Sequence, residues 1–129
     1  MKAAIYARYS SELQRSTSIT DQIHACRQAA ERKGYRVADE HVYTDEEMSG
    51  AVGHRPGYQR LLAAATSRAF DAIIVEAQDR LWRDAAEMYA ALKRLRFWGV
   101  RVFSIATDTD LTDRAGKILA AVVGLTPAS

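Results

Sequence analysis

The stretch Asp71-Ala72-Ile73-Ile74-Val75-Glu76 decides the fold class of this 129-residue chain. Its four consecutive apolar residues predict a short strand that is buried on both faces, which is typical of a parallel sheet covered by helices. The sequence on either side agrees. A helix is predicted over residues 56–68, with Pro56 in its first turn, and another is predicted to include Leu81 and to end near Gly99.

The rest of the chain continues this alternation of strand and helix. We predict further strands over residues 3–7, 35–43 and 100–106, a helix over residues 18–33, and a last helix that starts near Asp113. Polar loops are predicted over residues 8–17, 44–56 and 77–83. Crossovers of this length join parallel neighbours, so we expect a single three-layer α/β domain, with helices flanking a central, mostly parallel sheet of four to five strands.

Composition sets the broad class of protein. A chain of 129 residues that is 48% hydrophobic can bury one core without disulfides. The lone Cys26 cannot form an internal bridge, and no Cys or His group has the spacing of zinc ligands. No segment approaches the roughly 20 apolar residues of a membrane span. We therefore expect a soluble cytoplasmic protein with no metal, no cofactor and no membrane partner.

Arginine dominates the positive charge. The net charge is only +2, but 14 of the 18 basic residues are Arg, whose rigid fork binds phosphate oxygens in pairs. This bias is compatible with phosphate chemistry, and arginine-rich codon usage explains it equally well. The positions of the arginines must decide between these explanations.

Three loops are expected to meet at one edge of the sheet, because ligands of such sheets lie beyond the carboxyl ends of the strands. The segments that follow the first three strands carry hydroxyl, carboxylate and guanidinium groups: Arg8 and Ser10, Asp45 and Ser49, and Asp79, Arg80 and Arg83. Covalent cleavage of a phosphodiester needs a nucleophile, cations and a proton acceptor. If a helix begins near Arg80, the guanidinium groups of Arg80 and Arg83 also lie on one face at its amino end, where the helix dipole favours an anion.

Each of these residues also has an ordinary structural explanation. A serine after a strand commonly forms a turn, Asp79-Arg80 can be a helix cap, and Asp45 and Ser49 are typical loop residues. Only their co-location favours a site. The aromatic residues Trp82, Phe97 and Trp98 are expected to pack in the core or on helix surfaces. A flavodoxin-like or receiver-like binding domain would need a glycine loop or an acidic pocket where Arg8 and Ser10 stand.

Five segments together resemble the catalytic domain of the serine site-specific recombinases, the resolvase and invertase family. They are Tyr6-Ala7-Arg8-Tyr9-Ser10-Ser11, Ser18-Ile19-x-x-Gln22, Tyr43-x-Asp45-x-x-x-Ser49-Gly50, Arg55-Pro56-Gly57 and Asp79-Arg80-Leu81-x-Arg83. Their order and spacing follow the family over about residues 3–110.

The resemblance implies a role for each matched residue. Ser10 would be the nucleophile that becomes linked to the 5′-phosphate of cut DNA, and the family's Arg-x-Ser spacing selects it over Ser11. The arginines implied to bind the scissile phosphate are Arg8, Arg55, Arg80 and Arg83. The supporting residues are Gln22, Asp45, Ser49 and Asp79, with Tyr6 packed beneath the site. Neither metal nor nucleotide is implied. The proton acceptor stays open between Asp45, Asp79 and an arginine relay.

The resemblance also implies partners, and it weakens towards the end of the chain. The family acts on double-stranded DNA as dimers that pair into a synaptic tetramer, in prokaryotes, phages and mobile elements. In the family, residues 116–119 would begin a long dimerisation helix, yet residues 123–129 include Gly124 and Pro127. We therefore expect residues 1–129 to be a catalytic domain cut before that helix and before a DNA-binding domain, with weak DNA affinity by itself. The alternative is a truncated, inactive interaction or regulatory module.

Overall fold

The computed structural model describes residues 1–9, 18–46 and 55–113. The strands are β1 (Ala3–Tyr9), β2 (Val42–Glu46), β3 (Ala72–Val75), β4 (Arg101–Ser104) and β5 (Thr109–Asp110). The helices are α1 (Ile19–Arg32), α2 (Pro56–Thr66) and α3 (Ala85–Trp98), and short 3-10 turns cover Asp39–His41 and Gln78–Arg80. No helix within these ranges is long and apolar enough to cross a membrane.

The sheet is mostly parallel. Its strand order is β2-β1-β3-β4-β5, in which β1 pairs in parallel with β2 and β3, β3 pairs in parallel with β4, and β5 is antiparallel to β4. Each parallel neighbour is reached through a helical crossover, as short loops cannot join parallel strands. The predicted α/β class and strand count are confirmed.

Helices cover both faces of the sheet, which explains the continuous apolar run of β3. All four residues of β3 are fully buried. Ile74 packs on the α1 face with Cys26 and Ala29, while Ile73 packs on the opposite face with Leu61 of α2 and Leu92 of α3 among its neighbours. Burial of each such side chain stabilises the fold by about 1.5–3 kcal/mol.

The predicted start of α1, the predicted ends of α1 and α3, and the place of Pro56 in α2 are confirmed. The Ser18 hydroxyl accepts a hydrogen bond from the Asp21 backbone N–H at 3.1 Å, which fixes the start of α1. Gly34 and Gly99 follow α1 and α3 with φ of +79°, a left-handed conformation that residues with a side chain rarely adopt. Pro56 occupies the first turn of α2, as predicted.

Several boundary predictions are wrong. The first strand is predicted to end at residue 7, but β1 continues through Arg8 and Tyr9, two residues assigned to a loop. The strand predicted over residues 35–43 begins only at Val42, because Asp39–His41 form a 3-10 turn, and it continues to Glu46 through three residues assigned to a loop. The remainder of that predicted loop, residues 47–54, lies outside the described residues. Residues 111–113 are helical, in line with the predicted last helix, and the chain after Asp113 is likewise outside the described residues.

Candidate active site

The carboxyl ends of β1, β2 and β3 lie side by side, because β1 is the neighbour of both other strands. Arg8 near the end of β1 is directly opposite Asp45 of β2. Among the residues that the structure describes, Arg8, Asp45 and the Asp79-Arg80 segment lie at this one edge of the sheet, as predicted. Ser10 and Ser49, the predicted nucleophile and one supporting residue, lie outside the described residues.

Arg8 ties β1 to the turn that follows β3. Its side chain is buried, with Nε donating to the Arg80 carbonyl oxygen at 3.0 Å and Nη2 donating to the Asp79 carbonyl oxygen at 2.9 Å. A planar guanidinium can make two such bonds at once, which a lysine cannot do in the same geometry. Arg8 thereby fixes the backbone of the Asp79-Arg80 segment against the end of β1.

Arg55 reaches the same carbonyl group from the start of α2. Its Nη2 donates to the Arg80 carbonyl oxygen at 3.1 Å and to Tyr6 Oη at 3.1 Å. The guanidinium carbon also lies 4.2 Å from the centre of the Tyr58 ring, a favourable cation–π arrangement. The guanidinium groups of Arg8 and Arg55 thus meet at the carbonyl group of Arg80, at the edge of the sheet. We call these three residues the arginine cluster.

Asp45 holds the start of α2 in place. Its Oδ1 accepts from the Gly57 N–H at 2.8 Å, and its Oδ2 accepts from the Tyr58 N–H at 2.8 Å and from Tyr6 Oη at 2.7 Å. These bonds satisfy backbone donors at a helix amino end, where a carboxylate is also electrostatically favoured. With three protein donors, the Asp45 carboxylate joins the end of β2 to the start of α2 and, through Tyr6, to Arg55.

Tyr6 links Asp45 to Arg55 at the base of the site. Burial is the largest cause that raises the pKa of Tyr6 well above its usual value; the Arg55 charge opposes the shift, and the hydrogen bond to Asp45 adds to it. The phenol therefore stays neutral at physiological pH. Its hydroxyl donates a hydrogen bond to Asp45 and accepts one from Arg55. This geometry agrees with the predicted position of Tyr6 beneath the site.

Gln22 clamps the backbone of Arg8. Its fully buried amide accepts from the Arg8 N–H at 3.1 Å and donates to the Arg8 carbonyl oxygen at 3.0 Å. Gln22 lies on α1, so this pair of bonds joins that helix to the strand end two residues before Ser10. A buried backbone N–H and C=O need hydrogen-bond partners, because unpaired polar groups are costly in the protein interior.

We expect Gln22→Met to destabilise the domain by about 2–4 kcal/mol, because the isosteric side chain removes both buried hydrogen bonds between Gln22 and the Arg8 backbone. Urea unfolding followed by circular dichroism measures this change. Gln28→Met is the matched control, since Gln28 is an exposed glutamine of the same helix and is expected to change stability by less than about 0.5 kcal/mol. Equal effects of the two substitutions would contradict the clamp.

Arg80 and Arg83 are arranged differently from the prediction. The predicted stacking of their forks at a helix amino end is wrong, because Arg80 ends a 3-10 turn and α3 begins only at Ala85. Arg80 is 1% exposed and its Nη2 lies 2.7 Å from Glu76 Oε1. Arg83 is exposed, and among the described residues its guanidinium makes no hydrogen bond or ion pair.

The true start of α3 is set by a motif that the sequence analysis missed. Asp84 Oδ1 accepts from the Glu87 N–H at 2.8 Å, and Glu87 Oε2 accepts from the Arg83 N–H at 3.3 Å. The pattern Asp84-x-x-Glu87 is a capping-box signal, so it could have corrected the prediction. Glu87 Oε1 also lies 3.8 Å from Arg55 Nη1, which adds a carboxylate to the rim of the site.

Asp79 and Trp82 also contact residues of the site. Asp79 contributes through its backbone carbonyl group, while its carboxylate is about half exposed and lies 3.9 Å from Arg80 Nε. Trp82 is buried, as predicted, and its Nε1 donates to Tyr58 Oη at 2.8 Å, which orients the ring under Arg55. The sequence analysis did not predict Tyr58 or Glu76 as site residues, because the sequence shows them only as parts of a helix pattern and a strand pattern.

Comparisons with known proteins agree with the class that this fold and arginine cluster define. The family described as "Resolvase, N terminal domain" matches residues 3–127. The serine recombinases PinR and PinQ of Escherichia coli strain K12 are each 32% identical to this chain over 100 residues, which is 75% of the chain and 50% of those proteins. The chain thus spans about half the length of these curated relatives.

Solved structures of serine recombinase and integrase catalytic domains are also similar to this chain. The N-terminal catalytic domain of TP901-1 integrase is 29% identical, with a TM-score of 0.74, and the match covers 98% of this chain and 99% of that one. The C-terminal catalytic domain of ISC1926 TnpA, an IS607-like serine recombinase, is 27% identical with a TM-score of 0.68, over 96% of this chain and 84% of that one.

The fold and the site define an α/β domain with buried arginines at the carboxyl edge of its sheet. This chain belongs to the resolvase family and is a serine recombinase catalytic domain.

Proposed function

We propose that this domain cuts and rejoins double-stranded DNA in site-specific recombination, through a covalent bond between Ser10 and a 5′-phosphate. Ser10 loses its hydroxyl proton as its Oγ attacks phosphorus, and the bond from phosphorus to the 3′-oxygen breaks. The departing oxygen takes up one proton to become a free 3′-hydroxyl, so the step is proton-neutral. Attack of a 3′-hydroxyl on the phosphoserine reverses the step and releases Ser10. The number of phosphoester bonds stays constant, so no external energy source is required.

The observation that carries this proposal is the meeting of the Arg8 and Arg55 guanidinium groups at the Arg80 carbonyl group. Attack on a phosphodiester builds negative charge on the phosphoryl oxygens, and fixed guanidinium groups in a partly buried site stabilise that charge. Arg8 is two residues before Ser10 in the chain, so the cluster is anchored to the strand that leads to the nucleophile. The family membership supports the same chemistry.

Under this proposal the residues divide into two groups. Arg8, Arg80 and Arg83 contact the phosphate in the reacting complex, with Arg55 beside them. Gln22 and Asp79 position Arg8, and Asp45 acts through Tyr6 to position Arg55, by the hydrogen bonds described above. Ser49 is assigned to the site by its place in the family motif. The exposed Arg83 is available to follow the DNA backbone, since its guanidinium has no partner among the described residues.

The wider activity of the parent protein belongs to the same proposal. We expect dimers that pair into a tetramer on two DNA sites before all strands are cut and exchanged. The chain alone should bind DNA weakly, because a net charge of +2 gives little general attraction to phosphates.

Covalent trapping tests the proposal. Residues 1–129 are fused to a DNA-binding domain of known target, and a nicked suicide substrate is added so that the 3′-hydroxyl fragment diffuses away. We expect a protein–DNA adduct that survives denaturation. A folded fusion that binds its target and yields no adduct would contradict the proposed function and favour an inactive interaction module.

A further inference from the structure

Arg80 of the arginine cluster forms an ion pair with Glu76, a residue to which the proposed cleavage chemistry assigns no role. Glu76 follows β3 directly, and its Oε1 lies 2.7 Å from Nη2 of Arg80, four residues later. The Glu76 side chain is 21% exposed, whereas the Arg80 side chain is 1% exposed. The carboxylate is therefore the more accessible member of the pair, and the guanidinium lies beneath it.

This arrangement conflicts with a simple phosphate contact by Arg80. A guanidinium that is 1% exposed cannot reach a phosphate on a DNA duplex from the position it occupies. Carboxylate and phosphate oxygens bind the same N–H donors of arginine with similar geometry. Glu76 thus occupies a donor that a phosphoryl oxygen would use.

The main chain and the side chain of Arg80 are held by different partners. Arg8 and Arg55 both donate to the Arg80 carbonyl oxygen, so the main chain is fixed independently of the Glu76 pair. Within residues 1–9, 18–46 and 55–113, the carboxylates in ion pairs with Arg80 are Glu76 and, at 3.9 Å from its Nε, Asp79. The other two arginines raise the local positive potential, which draws an anion to this edge of the sheet.

We infer that Glu76 is a positioning residue that holds Arg80 in a resting place, and that a phosphate group displaces the carboxylate when it binds. The inference rests on the proposed function for the identity of the ligand as a phosphodiester. Its general form, competition between Glu76 and phosphate for Arg80, can be measured without any strand cleavage.

The test uses the unfused 129-residue chain, with inorganic phosphate as the probe and the Arg80 side-chain N–H signals as the readout in NMR. Glu76→Gln keeps an oxygen that can accept from Arg80 and removes the competing charge. We expect this variant to bind phosphate at Arg80 about tenfold more tightly than the wild type, the order of one charge-assisted hydrogen bond. Glu31→Gln removes the same charge from an exposed site on α1 and should leave the affinity unchanged.

A purely structural role of Glu76 predicts the opposite sign, since loss of a packing contact cannot tighten phosphate binding. Unchanged or weaker binding by folded Glu76→Gln protein would overturn the inference, as would an equal gain in an Arg80→Met background. If Glu76→Gln does not fold, a phosphate titration of the wild-type protein tests the inference instead. We expect phosphate to shift the NMR signal of the Glu76 carboxylate carbon together with the Arg80 signals, and a shift of the Arg80 signals alone would refute displacement. Because none of these readouts needs an adduct, they can fail or succeed independently of the trapping experiment.

Discussion

The Gly57→Ala variant is expected to lose about 3 kcal/mol of stability, the largest stability effect we predict for a single methyl group in this chain. A Cβ at Gly57 would overlap the Thr44 carbonyl oxygen and would lie 2.9 Å from its carbonyl carbon and 3.0 Å from Asp45 Oδ1. The obstacle is backbone, which cannot rotate away. The start of α2 would have to move off β2, which weakens the Asp45 hydrogen bonds and displaces Arg55.

Urea unfolding measures this loss, and Gly34→Ala is its control. Gly34 has a φ of +79° and open space around its Cβ position, so alanine there should destabilise by only about 1 kcal/mol, for conformational reasons. Gly57→Ala should also lower the rate of adduct formation because it moves Arg55. A Gly57→Ala protein as stable as Gly34→Ala would show that β2 and α2 approach less closely than described.

The Arg8→Lys variant should have the largest effect on activity among charge-conserving changes. Lysine keeps the positive charge but cannot donate to the Asp79 and Arg80 carbonyl oxygens with a planar fork, so the segment that carries Arg80 loses its anchor. We expect adduct formation in the fused protein to fall about 100-fold or more, the order found when one preorganised donor to a transition state is removed.

The matched control for Arg8→Lys is Arg36→Lys. Arg36 is exposed and its backbone pairs with Met1 and Ala3 at the amino end of β1, the end of the strand remote from the arginine cluster. This control should react at the wild-type rate. An Arg8→Lys protein that is folded and reacts within about twofold of the wild type would show that charge alone, without the fork geometry, is sufficient at this position.

The positions of the main elements and the edge that carries the site followed from the sequence because apolar periodicity and parallel strand order are strong constraints. Boundaries were predicted less well. Leu81 is 1% exposed and fits the apolar stripe of α3, yet it precedes the helix by four residues, since a buried turn and a helix bury side chains at similar spacing. Only the Asp84-x-x-Glu87 cap separates the two possibilities.

The contacts that organise the site were the hardest to predict. Arg8 and Arg55 bind backbone carbonyl groups, and a backbone acceptor leaves no trace in the sequence. Gln22 was selected through the family resemblance, and Asp45 was selected also by its place after the second strand. Their partners, the Arg8 backbone and the start of α2, emerge only from the fold. The burial of Arg80 under Glu76 was not predicted, because charged residues after a strand are usually solvated.

The most direct test of the central claim is to locate the phosphoserine. The trapped adduct is digested with protease and nuclease, and mass spectrometry then identifies the residue that carries the 5′-nucleotide. Wild-type fusion protein should carry it on Ser10, Ser11→Ala should form the same adduct, and Ser10→Ala should form none while folding normally. An adduct on Ser11 or any other residue, or one that persists in Ser10→Ala, would contradict the mechanism proposed for this domain.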